Sequence, residues 1–390
     1  MQNNQIYMDN ASTTRVDKRV LLAMKPFWDK MYANPSNIYS MGLKARDAVE
    51  KSRCRIAKFL NAKPNEIIFT SGGSESNNLA IFGVLSKLKK GRIITSVIEH
   101  PSVLKPIEAL EKRGFEVMKI KPKQNGVVNA EDVKNYLNHN TVLVTIMYAN
   151  NEIGTIQPIA RISKIISSFN AKRQTPNARR IIFHTDACQA TQYLDMDVKK
   201  LGVDLLTING SKIHAPKGTG ALYVRSGVVC NPQILGGPQE AGLRAGTENL
   251  AGIVGLAKAI ALINKSDNAE LGRIRDYIIN ELLKIPGSQL NGCKIKRLPN
   301  NINISFANVE GESLVLYLDK RGICVSTGSA CSSQSLEPSY VVGSIKGKEA
   351  AHSSLRISLS RYNTMEEAKA VVFEIKKAVK ELRRISENEK

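Results

Sequence analysis

Short runs of β-branched and other apolar residues alternate with helix-length amphipathic segments through the first two thirds of the chain. The pattern predicts helices at 101–113 and 159–169 among others, and strands at 66–70, 92–97, 115–120, 141–148, 180–186, 203–209 and 220–225. Such alternation is typical of an α/β fold whose mostly parallel sheet is covered by helices on both faces. Functional residues are then expected at the carboxyl ends of the strands.

The pattern changes after about residue 246. Helical periodicity predicts helices at 248–263 and 269–283, followed by a strand, a helix and a strand at 302–306, 312–320 and 323–326. An amphipathic, charged helix is predicted at 365–385. We therefore expect a large domain with a mixed, mostly parallel sheet at 15–260. A smaller α+β domain is expected from 1–14 and 261–390, and it includes the loop 326–340.

The composition fits a globular protein with a real core. The chain has 390 residues, of which 42% are hydrophobic and 23% charged, ordinary values for a soluble protein. It has no apolar run long enough to span a membrane, and its first residues do not resemble a signal peptide. Its six cysteines form no C-x-x-C pair, so neither a disulfide framework nor a structural metal site is expected. These features predict a cytoplasmic location with reduced thiols.

The net charge of +21 raises the question of a nucleic-acid partner. Basic residues are spread along the whole chain, and no basic motif is interleaved with aromatic residues. Direct nucleic-acid binding is therefore not expected, although RNA binding without turnover is kept as an alternative. An acidic protein partner fits the charge better, because charge speeds encounter without setting specificity.

The segment 70–78, Thr-Ser-Gly-Gly-Ser-Glu-Ser-Asn-Asn, follows a predicted strand and opens a predicted helix. Glycines allow close backbone approach, Ser74 offers a hydroxyl, and a helix N-terminus attracts an anion. The segment therefore fits a phosphate cradle. A capped strand-to-helix turn has the same pattern, so both interpretations stay open.

Three residues at or just after predicted strand ends can serve a flat, heteroaromatic cofactor. Asp186 ends a strand, where its carboxylate can pair with a protonated pyridine nitrogen or simply cap a helix. Gln189 lies three residues further on and can donate to a phenolic oxygen. His100 follows another strand; it can stack on the cofactor ring, or it can have only a structural role.

Lys212 and Cys331 are the candidate reactive groups. Lys212 lies in a glycine-studded turn between two apolar segments, a suitable place for a Schiff-base amine. Nearby Lys217 competes for that assignment. Cys331 lies in a run of small polar residues, where a thiolate can react and move. The alternative for Cys331, and the interpretation for the other five cysteines, is a small buried residue.

Taken together, these motifs resemble the cysteine desulfurases of the IscS/NifS type, members of the class-V aminotransferase family of fold-type I pyridoxal phosphate enzymes. The resemblance covers nearly the whole chain. Its further signatures occur in order: Tyr-Met-Asp-Asn-Ala-Ser-Thr-Thr (7–14), Ala-Asn-Pro-Ser-Asn (33–37), Asn-Asn-Glu-Ile-Gly-Thr (150–155), Leu-Arg-Ala-Gly-Thr-Glu-Asn (243–249), Gly-Ser-Ala-Cys (328–331), Leu-Glu-Pro-Ser-Tyr (336–340) and His-Ser-Ser-Leu-Arg-Ile-Ser-Leu-Ser-Arg (352–361).

The resemblance implies pyridoxal 5'-phosphate as cofactor and a role for each matching residue. Lys212 would form the Schiff base and move the proton at Cα, and Asp186 would keep the pyridine nitrogen protonated. Gln189 would contact the ring hydroxyl, while His100 would stack on the ring and assist proton transfer. The residues that match phosphate-binding positions are Gly73, Ser74, Asn209, Gly210 and Ser211, together with Thr247 from the second subunit of a homodimer.

For the substrate, the resemblance implies L-cysteine. Asn151 and Arg356 match the residues that hold its carboxylate, a task suited to a guanidinium. Cys331 matches the nucleophile that accepts the sulfur as a persulfide while L-alanine leaves. The loop 326–340 would let it deliver sulfur to an IscU-type iron–sulfur scaffold, and tRNA-thiolation acceptors are also open. No metal site is expected, apart from Cys331 as a transient cluster ligand.

The chain departs from the family pattern beside the candidate lysine. Most relatives carry a histidine directly before the lysine and a serine two positions earlier, where this chain has Ser211 and Asn209. Both residues can bond a phosphate oxygen, but neither supplies an imidazolium, so weaker cofactor binding is expected.

Other functions remain as alternatives to desulfuration. A selenocysteine lyase or another β-eliminating enzyme of the same fold needs no persulfide carrier, so the Ser-rich run around Cys331 favours the desulfurase. A scaffold without turnover has no need to keep the residues for the reaction, and all of these are present: Lys212, Asp186, His100, Arg356 and Cys331.

Overall fold

A computed structural model describes residues 5–173, 180–328 and 338–388. Cys331 lies outside the described residues. The strands of the described part are β1 (Ile6–Tyr7), β2 (Ile67–Thr70), β3 (Arg92–Ser96), β4 (Glu116–Ile120), β5 (Thr141–Thr145), β6 (Ile182–Asp186), β7 (Leu205–Asn209), β8 (Gly220–Val224), β9 (Ser288–Leu290), β10 (Asn301–Phe306), β11 (Ile323–Cys324) and β12 (Ser354–Ser358).

The α-helices of the same residues are α1 (Lys18–Met24), α2 (Pro26–Asp29), α3 (Ser40–Leu60), α4 (Gly73–Leu85), α5 (Pro101–Lys112), α6 (Ala130–Tyr136), α7 (Ile159–Ala171), α8 (Val198–Leu201), α9 (Leu250–Ala261), α10 (Asp267–Leu282), α11 (Gly311–Asp319), α12 (Tyr340–Lys346), α13 (Lys348–His352) and α14 (Met365–Asn388). No helix of the described residues combines the length and the apolar character that a membrane span needs.

A seven-stranded sheet with the order β2-β8-β7-β6-β5-β3-β4 forms the centre of the fold. Strands β3 to β7 run parallel to one another, and β8 is antiparallel to both of its neighbours, β2 and β7. The seven strands are those that the apolar runs of the first two thirds predict. The predicted α/β fold with a mixed, mostly parallel sheet is therefore confirmed.

Both faces of this sheet are buried because neighbouring residues of a strand point to opposite sides. Ile93 and Leu143 pack with apolar residues of α4 and α5. The residues that follow them, Ile94 and Val144, pack in the main core with residues of α7. The central strands therefore have almost no polar face, which explains their continuous apolar runs.

A second sheet with the order β12-β10-β9 is antiparallel. Near it, β1 pairs in parallel with β11, and Asp9 bridges to Ser358 at the end of β12. The chain's first described residues are thereby joined to its last third. The elements predicted after residue 246 are present, within a few residues of the predicted bounds. The division into domains near residue 260 stays a prediction.

One strand ends earlier than its apolar run predicts. Strand β5 stops at Thr145, whereas the run continues to residue 148. Beyond it, the Met147 N–H donates to the buried carboxylate of Glu99 at 2.9 Å. The N–H groups of Ile146 and Tyr148 still donate to the β6 carbonyl oxygens of His184 and Asp186, at 3.2 and 2.8 Å. Beyond Thr145 the Glu99 side chain therefore replaces β3, but not β6, as a hydrogen-bond partner of this segment.

Candidate active site

Five parallel strands end at the same edge of the large sheet, and a candidate residue follows each of them. Gly73 follows β2, His100 follows β3, Asn151 follows β5, Asp186 ends β6, and Lys212 follows β7. Strand β2 belongs to this group because it is antiparallel to β8, which is itself antiparallel to β7. The topology thus gathers residues that lie far apart in sequence, as expected for an open α/β sheet.

The turn after β7 holds Lys212. Asn209 caps this turn, its Oδ1 accepting from both the N–H of Ser211 at 3.2 Å and the Ser211 hydroxyl at 3.1 Å. The half-buried Lys212 donates from Nζ to the carbonyl oxygen of Ser12. Lys217, the competing lysine, donates instead to the Thr14 carbonyl at 3.1 Å and does not line the same cavity.

The N-terminus of α4 closely approaches this turn. Its N-cap, Gly72, makes no side-chain capping bond, so the first-turn N–H groups are not satisfied by a cap. A Cβ built on Gly73 would lie 2.8 Å from Cys188 Sγ and 3.3 Å from Asn209 Nδ2. Only glycine fits here, which leaves backbone N–H groups accessible to an anion, with the exposed Ser74 beside them.

Asp186 is buried at the end of β6, with both carboxylate oxygens in hydrogen bonds. Oδ2 accepts from Asn77 Nδ2 at 2.7 Å, and Oδ1 accepts from the N–H of Cys188 at 2.9 Å. The latter bond belongs to a turn rather than to an α-helix, so the helix-capping alternative does not apply. Gln189, also buried, donates to the Ala11 carbonyl at 2.9 Å.

His100 is the N-cap of α5. Its Nδ1 accepts from the N–H of Ser102 at 3.1 Å and lies 2.8 Å from the Ser102 hydroxyl. Burial lowers the pKa of this imidazole, and the positive charge of Lys212 lowers it further, against the opposing effect of Asp186. The ring is therefore biased towards its neutral form.

Arg356, from β12 of the second sheet, is buried and points to the same edge. Its Nη1 donates to the carbonyl oxygens of Asn151 at 3.1 Å and Gly328 at 3.2 Å. Its Nη2 donates to Asp9 Oδ1 at 2.8 Å and to the Ser12 hydroxyl at 2.7 Å. Ser12 therefore contacts both Arg356 and Lys212.

These residues surround a cavity of about 690 Å³. The predicted site residues that line it are Gly73, Ser74, His100, Asn151, Asp186, Gln189, Asn209, Lys212 and Arg356. Gly210 and Ser211 lie in the lysine turn but do not line the cavity. Thr247 is exposed and lies outside it. Cys331 falls outside the described residues, whereas Gly328 and Pro338 on either side of it line the cavity.

The cavity wall fits a phosphorylated, heteroaromatic aldehyde. The α4 N-terminus suits the phosphate, Asp186 suits a protonated ring nitrogen, and Lys212 suits the aldehyde carbon. In addition, Asn151 Oδ1 and Arg356 Nε are buried without a hydrogen-bond partner among the described residues. Buried polar atoms without partners are costly, so a polar ligand at this position compensates for them.

Three further residues contact or adjoin the candidate residues, although their sequence positions predict no role for them. Asn77 binds Asp186, Glu99 is fully buried next to His100, and Ser12 joins Lys212 to Arg356. Asn77 follows Gly73 by one helical turn, and that spacing predicts a common face. Ser12 lies in the motif 7–14 but carries no distinguishing signal of its own.

The chain matches known proteins over nearly its full length. The family model of the class-V aminotransferases matches residues 6–371. The protein "Cysteine desulfurase IscS" of Dictyoglomus turgidum is 48% identical to this chain, over an alignment that covers 98% of this chain and 96% of the relative. A solved NifS-like protein has a TM-score of 0.88 at 35% identity, with 97% and 99% of the two chains covered. A solved structure of SspA in complex with cysteine has a TM-score of 0.81 at 38% identity, with 92% and 100% covered.

Identity at this level over almost all of both chains is far above what a shared fold alone requires, and the matched region includes each candidate residue that lines the cavity. The chain therefore belongs to the class-V aminotransferase family, on the cysteine desulfurase branch of it.

Proposed function

We propose that this protein removes sulfur from L-cysteine with pyridoxal 5'-phosphate, releases L-alanine, and retains the sulfur as a persulfide on Cys331. The contact of Ser12 with both Lys212 and Arg356 is the observation that carries the proposal. It puts an amine suited to a cofactor aldehyde next to a guanidinium suited to a substrate carboxylate. An amino acid substrate fits that arrangement.

The residues that would hold the cofactor are those of the cavity wall. Gly73, Ser74 and Asn209 would bind the phosphate, Asp186 the ring nitrogen and Lys212 the aldehyde, with Gln189 and His100 at the ring. When bound, the cofactor supplies an electron sink for the pair of electrons left at the substrate's Cα after loss of its proton.

The chain's own groups would divide the remaining work. Arg356 and Asn151 bind and orient the substrate carboxylate, and this orientation brings the Cα proton to Lys212 Nζ. Because Arg356 is already paired with Asp9 and Ser12, its position is fixed before substrate arrives. The Lys212 amine moves the proton at Cα.

Sulfur transfer needs no external oxidant. The Cys331 thiolate attacks the substrate sulfur, so an S–S bond forms while the Cβ–S bond breaks. The electron pair of the broken bond stays on Cβ, which gains a proton and becomes the methyl group of alanine. Carbon is reduced and sulfur is oxidised by the same two electrons, which leaves the persulfide on Cys331.

A second copy of this chain is the partner that the surface supports best. Exposed apolar side chains cluster in sequence at Leu22, Trp28, Tyr32 and Ile38, and soluble monomers rarely expose such groups together. A homodimer would cover them and could bring the exposed Thr247 to the partner's cofactor phosphate. Sedimentation should give a dimer that Trp28→Glu dissociates, and a monomeric parent would refute this part.

The sulfur acceptor and the location follow from the proposed reaction. A protein-bound persulfide needs a thiol acceptor, and an iron–sulfur scaffold protein of acidic surface suits the chain's charge of +21. The Cys331 thiol must be reduced before it can accept sulfur, and a reducing compartment keeps it so, which supports a cytoplasmic location.

The experiment is a product balance. Purified protein is incubated with pyridoxal phosphate, L-cysteine and a thiol reductant, and alanine and sulfide are measured together. Equal amounts of the two products are expected. Sulfide with pyruvate and ammonia instead of alanine would mean β-elimination, and no product from a protein that binds the cofactor would also refute the proposal.

A further inference from the structure

A line of hydrogen bonds joins Asp186 to His100 through two side chains from neighbouring helices. Asn77 of α4 donates from Nδ2 to Asp186 Oδ2 at 2.7 Å and to the Ser102 hydroxyl at 2.8 Å. Ser102 of α5 lies 2.8 Å from His100 Nδ1 through its hydroxyl and also donates its backbone N–H to the same nitrogen. We call these four residues the Asp186–His100 relay.

The direction of each bond in the relay follows from the groups present. The Asp186 carboxylate only accepts, so the Asn77 amide must present its NH₂ group to it. Both hydrogens of that NH₂ are then used, one on Asp186 and one on the Ser102 oxygen. Asn77 Oδ1, on the opposite side of the amide, has no partner among the described residues, which agrees with an orientation imposed by Asp186.

The remaining hydrogen of the relay belongs to Ser102. The Ser102 backbone N–H donates to His100 Nδ1, so that nitrogen acts as an acceptor and the Ser102 hydroxyl directs its hydrogen at it. An N–H cannot point at another N–H. A proton on His100 Nδ1 would therefore displace two donors, one of which is fixed in the backbone of α5.

We propose that Asn77 and Ser102 are positioning residues that hold His100 as the neutral tautomer with its proton on Nε2. The inference rests on the proposed function for its catalytic meaning, because it decides which atom of His100 exchanges a proton during the reaction. Nε2 alone can do so, and it acts as a neutral donor rather than as part of an imidazolium.

Two further observations agree with this tautomer. His100 lies at the N-terminus of α5, where the helix dipole disfavours a positive ring. Burial and Lys212 lower the pKa of the imidazole in the same direction. Electrostatics and burial favour a neutral ring but do not specify which nitrogen carries the proton. The two Ser102 donors identify Nδ1 as the unprotonated nitrogen.

The test is nitrogen NMR on protein labelled with ¹⁵N-histidine, without cofactor or substrate, at one fixed neutral pH. The chain has five histidines, and His100→Gln identifies the signal. In the parent we expect a protonated Nε2 and an unprotonated Nδ1. Ser102→Ala removes the hydroxyl donor but keeps the backbone N–H, so the Nδ1 signal should move towards that of a less hydrogen-bonded, still unprotonated nitrogen. Ser102→Thr keeps the hydroxyl and should restore the parent signal.

Turnover gives a second, independent signature. One hydrogen bond lost at His100 should lower kcat roughly two- to tenfold, with KM for L-cysteine unchanged because Arg356 and Asn151 are not touched.

Asn77→Ala should move the same ring signal, and the double variant Asn77→Ala/Ser102→Ala should show no further shift beyond Ser102→Ala. Ala is a good helix former, so neither change should unfold its helix.

The ring signals decide the inference. A proton on Nδ1 in the parent, or an unchanged ring signal in Ser102→Ala, overturns it. These signals are measured without substrate, so a failure of the desulfurase proposal would leave the test valid. Conversely, normal alanine formation by a parent with the other tautomer would overturn only this inference.

Discussion

Arg356 and Asp9 form an ion pair, Nη2 to Oδ1 at 2.8 Å, between residues 347 positions apart in the chain. The guanidinium is 2% exposed and the Asp9 side chain 17%. The pair joins the first described segment to β12 and fixes the group that would bind the substrate carboxylate. The position of the Arg356 guanidinium therefore depends on the N-terminal segment as much as on β12.

Asp9→Ala should destabilise the protein by about 3 kcal/mol, because it leaves a buried guanidinium without a carboxylate partner. Asp9→Asn keeps a hydrogen-bond acceptor for Nη2 and should lose clearly less. Urea unfolding of the two variants and the parent, at one protein concentration, measures this order. Equal stability of the Ala and Asn variants would show that the charge of Asp9 does not matter to Arg356.

Lys212→Ala should remove both the visible absorbance of the bound cofactor and alanine formation. Among the described residues that line the cavity, no other amine contacts Ser12. Lys217→Ala is the matched control, since Lys217 lies in the same turn region but donates to Thr14. It should keep absorbance and activity. The reverse pattern in the two variants would transfer the assignment to Lys217.

Cys331→Ser should retain the cofactor's visible absorbance and lose persulfide and alanine formation, because a hydroxyl is far less nucleophilic towards sulfur than a thiolate. Cys54→Ser, at an exposed cysteine, should behave as the parent. Alkaline labelling of persulfides followed by peptide mapping after one turnover checks the location of the sulfur. Persulfide on a different cysteine would refute the assignment.

Ser211→His should strengthen pyridoxal phosphate binding by up to about tenfold, because it adds a cationic donor beside the α4 N-terminus. The gain is limited since the Ser211 hydroxyl bond to Asn209 is lost. Ser211→Ala loses the same bond without adding a donor and should bind the cofactor more weakly than the parent. Fluorescence titration of the cofactor-free proteins gives the three Kd values. A histidine variant that binds no tighter than Ser211→Ala would mean that the imidazole does not reach the phosphate.

The large sheet could be predicted from sequence because its strands are buried on both faces. β7, for example, is apolar or β-branched at four of its five positions and buried at those four. The sheet edge that carries the candidate residues follows from the same prediction, since parallel strands place their carboxyl ends together. Strand β9 has three residues and none fully buried, which is too short for a periodic signal.

Contacts between distant side chains could not be predicted. Nothing in the sequence near Ser12 indicates that its two oxygens contact Lys212 and Arg356, 200 and 344 residues away. Helix α3 has buried positions at helical spacing, but several are small, such as Gly42, Ala45 and Ser52. A face made of small residues gives a weak hydrophobic pattern even when it packs closely.

We expect Glu99 to make the stability of the protein depend on pH. Its side chain is fully buried, and its carboxyl accepts from Ser96 Oγ at 2.5 Å and from the Met147 N–H at 2.9 Å. Burial raises its pKa from 4.5 to about 8, with a further contribution from Asp186 and against the effect of the two donors. The folded state thus binds this proton more tightly than the unfolded state does.

The stabilising contribution of that proton is complete below pH 4.5 and is lost as the pH rises through about 8. Glu99→Gln is always neutral, so its free energy of unfolding should increase relative to the parent's across this range, by at most about 1.4 kcal/mol per pH unit.

Glu281→Gln is the control, at a carboxyl whose pKa is shifted in the opposite direction. Lys284 and Lys376 lower the pKa of Glu281 to about 2, so its effect should be constant between pH 5 and 8. Urea unfolding of the cofactor-free proteins at pH 5, 6.5 and 8 (roughly the titration range of the buried carboxyl) measures both. A difference between Glu99→Gln and the parent that stays constant with pH would show that Glu99 does not titrate in this range.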